Sequence, residues 1–251
     1  MRIRRTAAVL FLVVGALSAA GACQDSTAPR PKEPVSLRVL FIGNSLTYTN
    51  NLPTTLADVA RTAGDSIYVE MIARPNYGLI DHLTLNSGAE AAIRRGGWDY
   101  VVLQQGPTTL PVNRDSLVLW TQMFDPIIRS VGATPALFMV WPVLGQAGGF
   151  EAVRRSYQLA ADSVGGVFLP AGMAWKLALD RDPAVKLYGP DSFHPAPLGS
   201  YLAAITIYEA LTGHDARELS EYALLNGTAL TVPVATVRLL QAAAHQAVTG
   251  H

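Results

Sequence analysis

From residue 37 onward, short apolar runs alternate with longer stretches whose apolar positions recur every three or four residues. Leu37-Arg38-Val39-Leu40-Phe41-Ile42 is apolar and partly β-branched and stops at Gly43, the pattern of a buried strand. Residues 53–63 predict a helix. Leu52, Leu56, Val59 and Ala60 share helical spacing, and Pro53 stands near its start. The alternation continues with strands over 66–73, 99–104, 134–141 (stopped by Pro142) and 166–169. Helices are expected over 89–95, 114–131, 150–164, 197–211 and 234–247.

Strands that alternate with helices imply βαβ units, and strands that read as unbroken apolar runs imply burial on both faces. The expectation is an α/β fold: one three-layer α/β/α sandwich with a central parallel sheet of about five strands. Ligands in such sheets sit beyond the carboxyl ends of the strands. That rule puts Ser45, Asn76, Gly78, Gln105 and Trp141, which follow or end predicted strands, on the functional edge.

The first residues break this pattern. Met1–Arg5 is basic, Ala7–Ala20 is apolar, and Ala20-Gly21-Ala22 is a small-residue cleavage site, so residues 1–22 read as an export signal. The apolar run falls short of the about 20 residues that span a bilayer. Cys23 is the single cysteine, which excludes an internal disulfide. It follows the small residues directly, as the lipidated cysteine does in bacterial lipoproteins, although Ala20 stands where Leu is usual. Ordinary signal cleavage beside an incidental cysteine is the other reading. Residues 23–36, rich in Pro and polar side chains, read as a tether. The expected locations are a lipid anchor at Cys23 on a bacterial membrane, or else the periplasm or the exterior.

The 251-residue chain is 50% hydrophobic and has a formal charge of zero. Without Arg2, Arg4 and Arg5 it carries 16 basic and 19 acidic residues. There is no basic stripe, which argues against a nucleic-acid partner. No His/Cys cluster has metal-ligand spacing, so no metal or other cofactor is expected.

Two segments can carry chemistry. Ser45 lies just past the first strand, in Phe41-Ile42-Gly43-Asn44-Ser45-Leu46-Thr47, exposed at a strand–loop–helix junction. A serine nucleophile needs a base, and a His base benefits from a carboxylate on its other nitrogen. Asp191-Ser192-Phe193-His194-Pro195 offers both within one loop stiffened by Pro195 and Pro197. Each segment alone is also what a polar turn or helix cap looks like.

Taken together, the two segments resemble the SGNH (GDSL-like) hydrolase superfamily of serine esterases. Phe41–Ser45 is similar to its first block and Asp191–His194 to its last, in the expected order, within Leu187–Ala204 surroundings that also look alike. The resemblance covers nearly all of residues 37–251. It implies a flavodoxin-like sandwich and a Ser45–His194–Asp191 triad working through an acyl-enzyme. It also implies three oxyanion donors: the Ser45 N–H, a Gly N–H after the second strand, and an Asn side chain after the third. Gly78 is the candidate for the second, with Asn76 the rival. At the third block the pattern departs, because Gln104-Gln105-Gly106-Pro107-Thr108 contains no Asn. The Gln105 amide offers the same NH₂ donor, and Thr108 is the fallback. One of Gln104 and Gln105 could instead end the strand and satisfy backbone groups. His82 reads as a cleft residue or, more simply, a surface helical histidine. Trp141 reads as a wall of the substrate site or as core. His214, His245 and His251 receive no role.

The resemblance points to an esterase that removes a small acyl group such as acetyl from a carbohydrate or similar small-molecule ester. A non-catalytic surface lipoprotein that binds a glycan in the same cleft is the alternative.

Overall fold

The computed structural model describes residues 32–146 and 148–250. The signal segment, Cys23, most of the tether and His251 lie outside the described residues. A compact unit begins at Pro34. Among the described residues, no helix is long and apolar enough to cross a membrane.

The chain runs β1 (Ser36–Gly43), α1 (Ser45–Tyr48), α2 (Leu52–Thr62), β2 (Ser66–Ala73), α3 (Leu79–Thr84), α4 (Ala89–Arg94) and β3 (Tyr100–Leu103). It continues through α5 (Pro111–Arg129), β4 (Thr134–Phe138), α6 (Gly149–Ser163), β5 (Val167–Leu169), α7 (Ala171–Arg181) and α8 (Pro197–Thr212). A two-strand ribbon, β6 (Leu224–Leu225) and β7 (Thr228–Ala229), precedes α9 (Val234–Thr249).

The expected α/β architecture is present: a five-stranded sheet in the order β2-β1-β3-β4-β5, parallel at every pairing. Val39, Leu40, Phe41 and Ile42 of β1 are fully buried, as are Val101, Val102 and Leu103 of β3. Central strands of a covered sheet have apolar neighbours on both faces, which is why these runs show no alternation. Helices α2, α7, α8 and α9 pack on one another, while α4, α5 and α6 form the other layer. Strand order reverses at β1, between β2 on one side and β3 on the other. In a sheet of order 2-1-3-4-5, the β1/β3 crevice is the switch point where ligands sit.

Some boundaries differ from expectation. The apolar run Met139–Trp141 does not extend β4, because the neighbouring β5 ends at Leu169. Beyond it, Met139 instead pairs with Leu169 and Gly172 in a turn. Helix α5 starts at Pro111 rather than 114, since Pro is well suited to a first helical turn. Helices α1, α3 and α7 were not anticipated. The segment 214–233 is a strap: Gln241 of α9 donates to the carbonyls of Leu219 and Ser220, and Arg238 to that of Arg217.

Candidate active site

The chain leaves β1 for α1 at Ser45. A Cβ on Gly43 would lie 2.4 Å from Thr47 Oγ1 and 2.5 Å from Gln104 Oε1, so this position demands glycine by close approach. Asn44 caps α1, its Oδ1 accepting from Leu46 N at 3.1 Å, while its Nδ2 donates to the Tyr77 carbonyl at 2.9 Å. Gln104, fully buried after β3, clamps the same turn. Its Oε1 accepts from Asn44 N at 2.9 Å and Thr47 Oγ1 at 2.7 Å, and its Nε2 donates to Asn44 Oδ1 at 3.0 Å. Of the two glutamines, Gln104 is the one committed to the Ser45 turn. Ser45 is the first residue of α1, so its N–H precedes any intrahelical acceptor.

Some 149 residues along the chain, the loop 188–195 closes on itself and brings His194 to Ser45. Gly189 N donates to His194 O at 2.7 Å and Ser192 N to Gly189 O at 3.0 Å. Ser192 takes the left-handed conformation, with φ of 60°. Asp191 Oδ1 accepts from the backbone N–H groups of Phe193 (3.1 Å) and His194 (2.9 Å). Asp191 Oδ2 lies 2.5 Å from His194 Nδ1, and His194 Nε2 lies 2.8 Å from Ser45 Oγ. The His194 bond first, and the two backbone N–H bonds after it, hold the Asp191 carboxyl down at about 2. An ionised carboxylate only accepts, so Nδ1 carries the proton and Nε2 presents a lone pair to the Ser45 hydroxyl. A general base needs this tautomer.

Behind the loop stands Trp141, fully buried and stacked on Trp175 with ring centroids 3.6 Å apart. Its indole N–H donates to the Phe193 carbonyl at 3.0 Å. Trp141 is thus a core residue that supports the loop, and of its two sequence readings the substrate wall is not the one adopted. Tyr188 adds a bond from its hydroxyl to the Pro142 carbonyl at 2.8 Å.

Ser45, Asn76, Gly78, Gln105 and Thr108 line one cavity of about 370 Å³, together with Asn113, Ser116 and Phe193. None of these side chains is charged. The candidate oxyanion donors are not equally placed. Gly78 N–H is already donated to Asp81 Oδ2 at 2.8 Å, where it closes the first turn of α3. Gln105 Oε1 accepts from Leu79 N at 3.3 Å, leaving Nε2 with a long 3.5 Å contact to the Asn113 carbonyl. The Gln105 NH₂ is the more weakly engaged of these two donors. Asn76 is exposed on its loop, with φ of 61°. Thr108 Oγ1 is sealed from solvent and has no hydrogen-bond partner.

His82 departs from the surface reading. It is 2% exposed, with Nε2 2.9 Å from the Gly43 carbonyl and Nδ1 2.9 Å from Ser87 Oγ. A six-residue helix in which His82 stands beside Asp81 and near Thr84 looks solvated in sequence, and nothing local reveals that α3 buries its histidine. His214 and His245 pair with Asp65 and Glu209. Glu209, Asp215 and His245 form a carboxylate–imidazole cluster toward the far end of α8 from the site. Its groups are occupied by one another, by Ala216 N and by Arg217.

No protein-family profile matches the chain, and no curated protein does. Solved structures do. A candidate SGNH hydrolase from Slackia heliotrinireducens is 25% identical with a TM-score of 0.59, covering 71% of this chain and all (100%) of that one. A DUF4886 family protein from Bacteroides uniformis is 20% identical with a TM-score of 0.71, over 84% of this chain and 94% of that one. A catalytic mutant of Axe2, an acetylxylan esterase from Geobacillus stearothermophilus, is 13% identical with a TM-score of 0.51, over 72% of this chain and 94% of that one. The fold is that of the SGNH (GDSL-like) hydrolases.

Proposed function

We propose that this chain, built on the SGNH hydrolase fold, is a serine esterase in which Ser45 is the nucleophile, His194 the base and Asp191 its orienting carboxylate. The observation that carries this reading is the unbroken line Ser45 Oγ–His194 Nε2 (2.8 Å) and His194 Nδ1–Asp191 Oδ2 (2.5 Å) at the sheet's switch point. As Ser45 Oγ bonds to the ester carbonyl carbon, its proton passes to His194 Nε2. The resulting oxyanion is held by the Ser45 N–H, the Gln105 NH₂ and the Gly78 N–H once Asp81 releases it. Collapse breaks the ester C–O bond, and His194 returns the proton to the departing alcohol. Water then gives its proton to His194 and attacks the acyl-enzyme, and Ser45 leaves with that proton restored.

A small acyl group such as acetyl, on a carbohydrate or similar alcohol, fits a compact cavity lined by amides and hydroxyls. The fold likeness to an acetylxylan esterase points the same way. The signal-like start and Cys23 support export and a lipid anchor; incorporation of a labelled fatty acid, lost in Cys23→Ser, tests it. No label on wild type removes the anchor.

Reaction of the purified chain with a fluorophosphonate probe tests the function. Wild type should label, and Ser45→Ala and His194→Ala should not. A folded wild type that neither labels nor cleaves p-nitrophenyl acetate would instead favour a glycan-binding role for the cleft.

A further inference from the structure

The Gly43–Asn44 peptide, immediately ahead of Ser45, is gripped on both sides. Its N–H is donated to Gln104 Oε1 at 2.9 Å. Its carbonyl accepts from Arg74 N at 3.1 Å and meets His82 Nε2 at 2.9 Å. The carbonyl only accepts, so Nε2 of His82 carries a proton. On the other ring nitrogen stands Ser87 Oγ at 2.9 Å, which is also 3.1 Å from the His82 carbonyl and accepts from Ala89 N at 3.2 Å. His82 is thus held in place from α4's start and reaches across to β1. Tyr77 packs edge-on to its ring at 5.2 Å, and the Tyr77 carbonyl takes the Asn44 side chain.

We propose that His82 is a positioning residue for the nucleophile: by binding the Gly43 carbonyl from α3, it locks the Ser45 turn in register with the Gly78 loop that begins the same helix. The proposal rests on Ser45 being the nucleophile. Its physical logic is that the Ser45 N–H and the Gly78 N–H must point to one spot for an oxyanion to use both. They lie on different loops, after β1 and β2, 33 positions apart in sequence. Arg74 N only continues the β1–β2 ladder. His82 ties the turn after β1 to the helix that follows Gly78, so a shift in one loop carries the other. Burial, the largest influence, holds the imidazole below its ordinary range, against the opposing pull of the Gly43 carbonyl and Asp81 and with a smaller push from Arg74. A neutral ring carrying its proton on Nε2 suits this role.

The test compares wild type, His82→Gln and His82→Phe by thermal melting, by kcat and KM on p-nitrophenyl acetate, and by the rate of fluorophosphonate inactivation. Rates are normalised to folded protein. A Gln amide can place its NH₂ near where Nε2 stands; a Phe ring keeps the volume and removes the donor. His82→Phe should lose about 10²-fold in kcat and in inactivation rate with KM within about 2-fold, since a misplacement of about 1 Å costs that much. His82→Gln should recover most of the loss. A wild-type kcat in His82→Phe, an equal loss in His82→Gln, or a change confined to KM overturns the proposal. If His82→Phe does not fold, Ser87→Ala replaces it, and an unchanged kcat there overturns the proposal equally. These outcomes require a wild type that reacts at Ser45. A folded wild type that does not react overturns the nucleophile assignment itself, and this proposal with it.

Discussion

At Asp191 three hydrogen bonds converge on one carboxylate, two from backbone N–H groups and one from His194. Its folded pKa of about 2 lies below the ordinary 3.8, so its contribution to stability is complete above about 4 and disappears as pH falls toward 2. Asp191→Asn should keep the fold at neutral pH yet lower kcat by about 10⁴-fold, because an amide no longer selects the Nδ1–H tautomer of His194. Steady-state kinetics on p-nitrophenyl acetate check this, and a loss below tenfold would remove Asp191 from the triad. Gln105→Ala should slow acylation by about 10²-fold if its NH₂ meets the oxyanion; an unchanged burst rate would pass the role elsewhere. Ser45, Asp191 and His194 were legible because two short patterns, Gly-Asn-Ser and Asp-x-x-His, together resemble the blocks of one family, and Gln105 was offered only by that resemblance. His82 was not legible, because its partner Gly43 is 39 residues away and no local pattern encodes a contact at that range.

The elements were readable where periodicity was long and pure. β1, β3, α8 and α9 match their apolar runs closely, whereas α7 was missed. Pro170 and Gly172 punctuate its start like a loop, yet Gly172 is there for close approach: a Cβ would lie 2.2 Å from the Val140 carbonyl. Helix α8 has the same kind of constraint beneath the His194 loop. A Cβ on Gly199 would lie 2.4 Å from both the Leu187 carbonyl and the Trp175 ring. Overpacking of this kind costs about 1–3 kcal/mol. Gly199→Ala should therefore lower Tm by roughly 3–10 °C and also reduce kcat, since Leu187 leads into the loop that carries Asp191. A melting curve that superimposes on wild type would show that α8 can part from Leu187 and Trp175 without cost.

Across the whole molecule, Asp65 joins distant parts of the chain. It accepts from Val35 N at 2.8 Å, from the Tyr208 hydroxyl at 2.6 Å, and pairs with His214 at 2.8 Å. Burial raises its carboxyl, but Tyr208, Val35 and His214 together bring it below its ordinary range. A depressed folded pKa contributes stability above about 3.8 that is lost as pH falls through the folded value. Asp65→Ala strands these donors and should cost about 2–4 kcal/mol at neutral pH. Calorimetry should find a lower Tm with p-nitrophenyl acetate activity retained below the melt. An activity loss without a Tm change would place Asp65 in the site instead. Overall architecture was legible because strand–helix alternation constrains a parallel sheet. The C-terminal strap was not, because 214–233 is held by hydrogen bonds to α9 rather than by an apolar rhythm of its own.

The 149 residues that separate Ser45 from His194 also set an order in time. A ribosome finishes β1 early and α8 late, and the sheet's five strands are all complete by Leu169. A chain caught partway through synthesis holds Ser45 without His194. The two side chains meet only when the final quarter, with the 188–195 loop and α8, docks on the sheet.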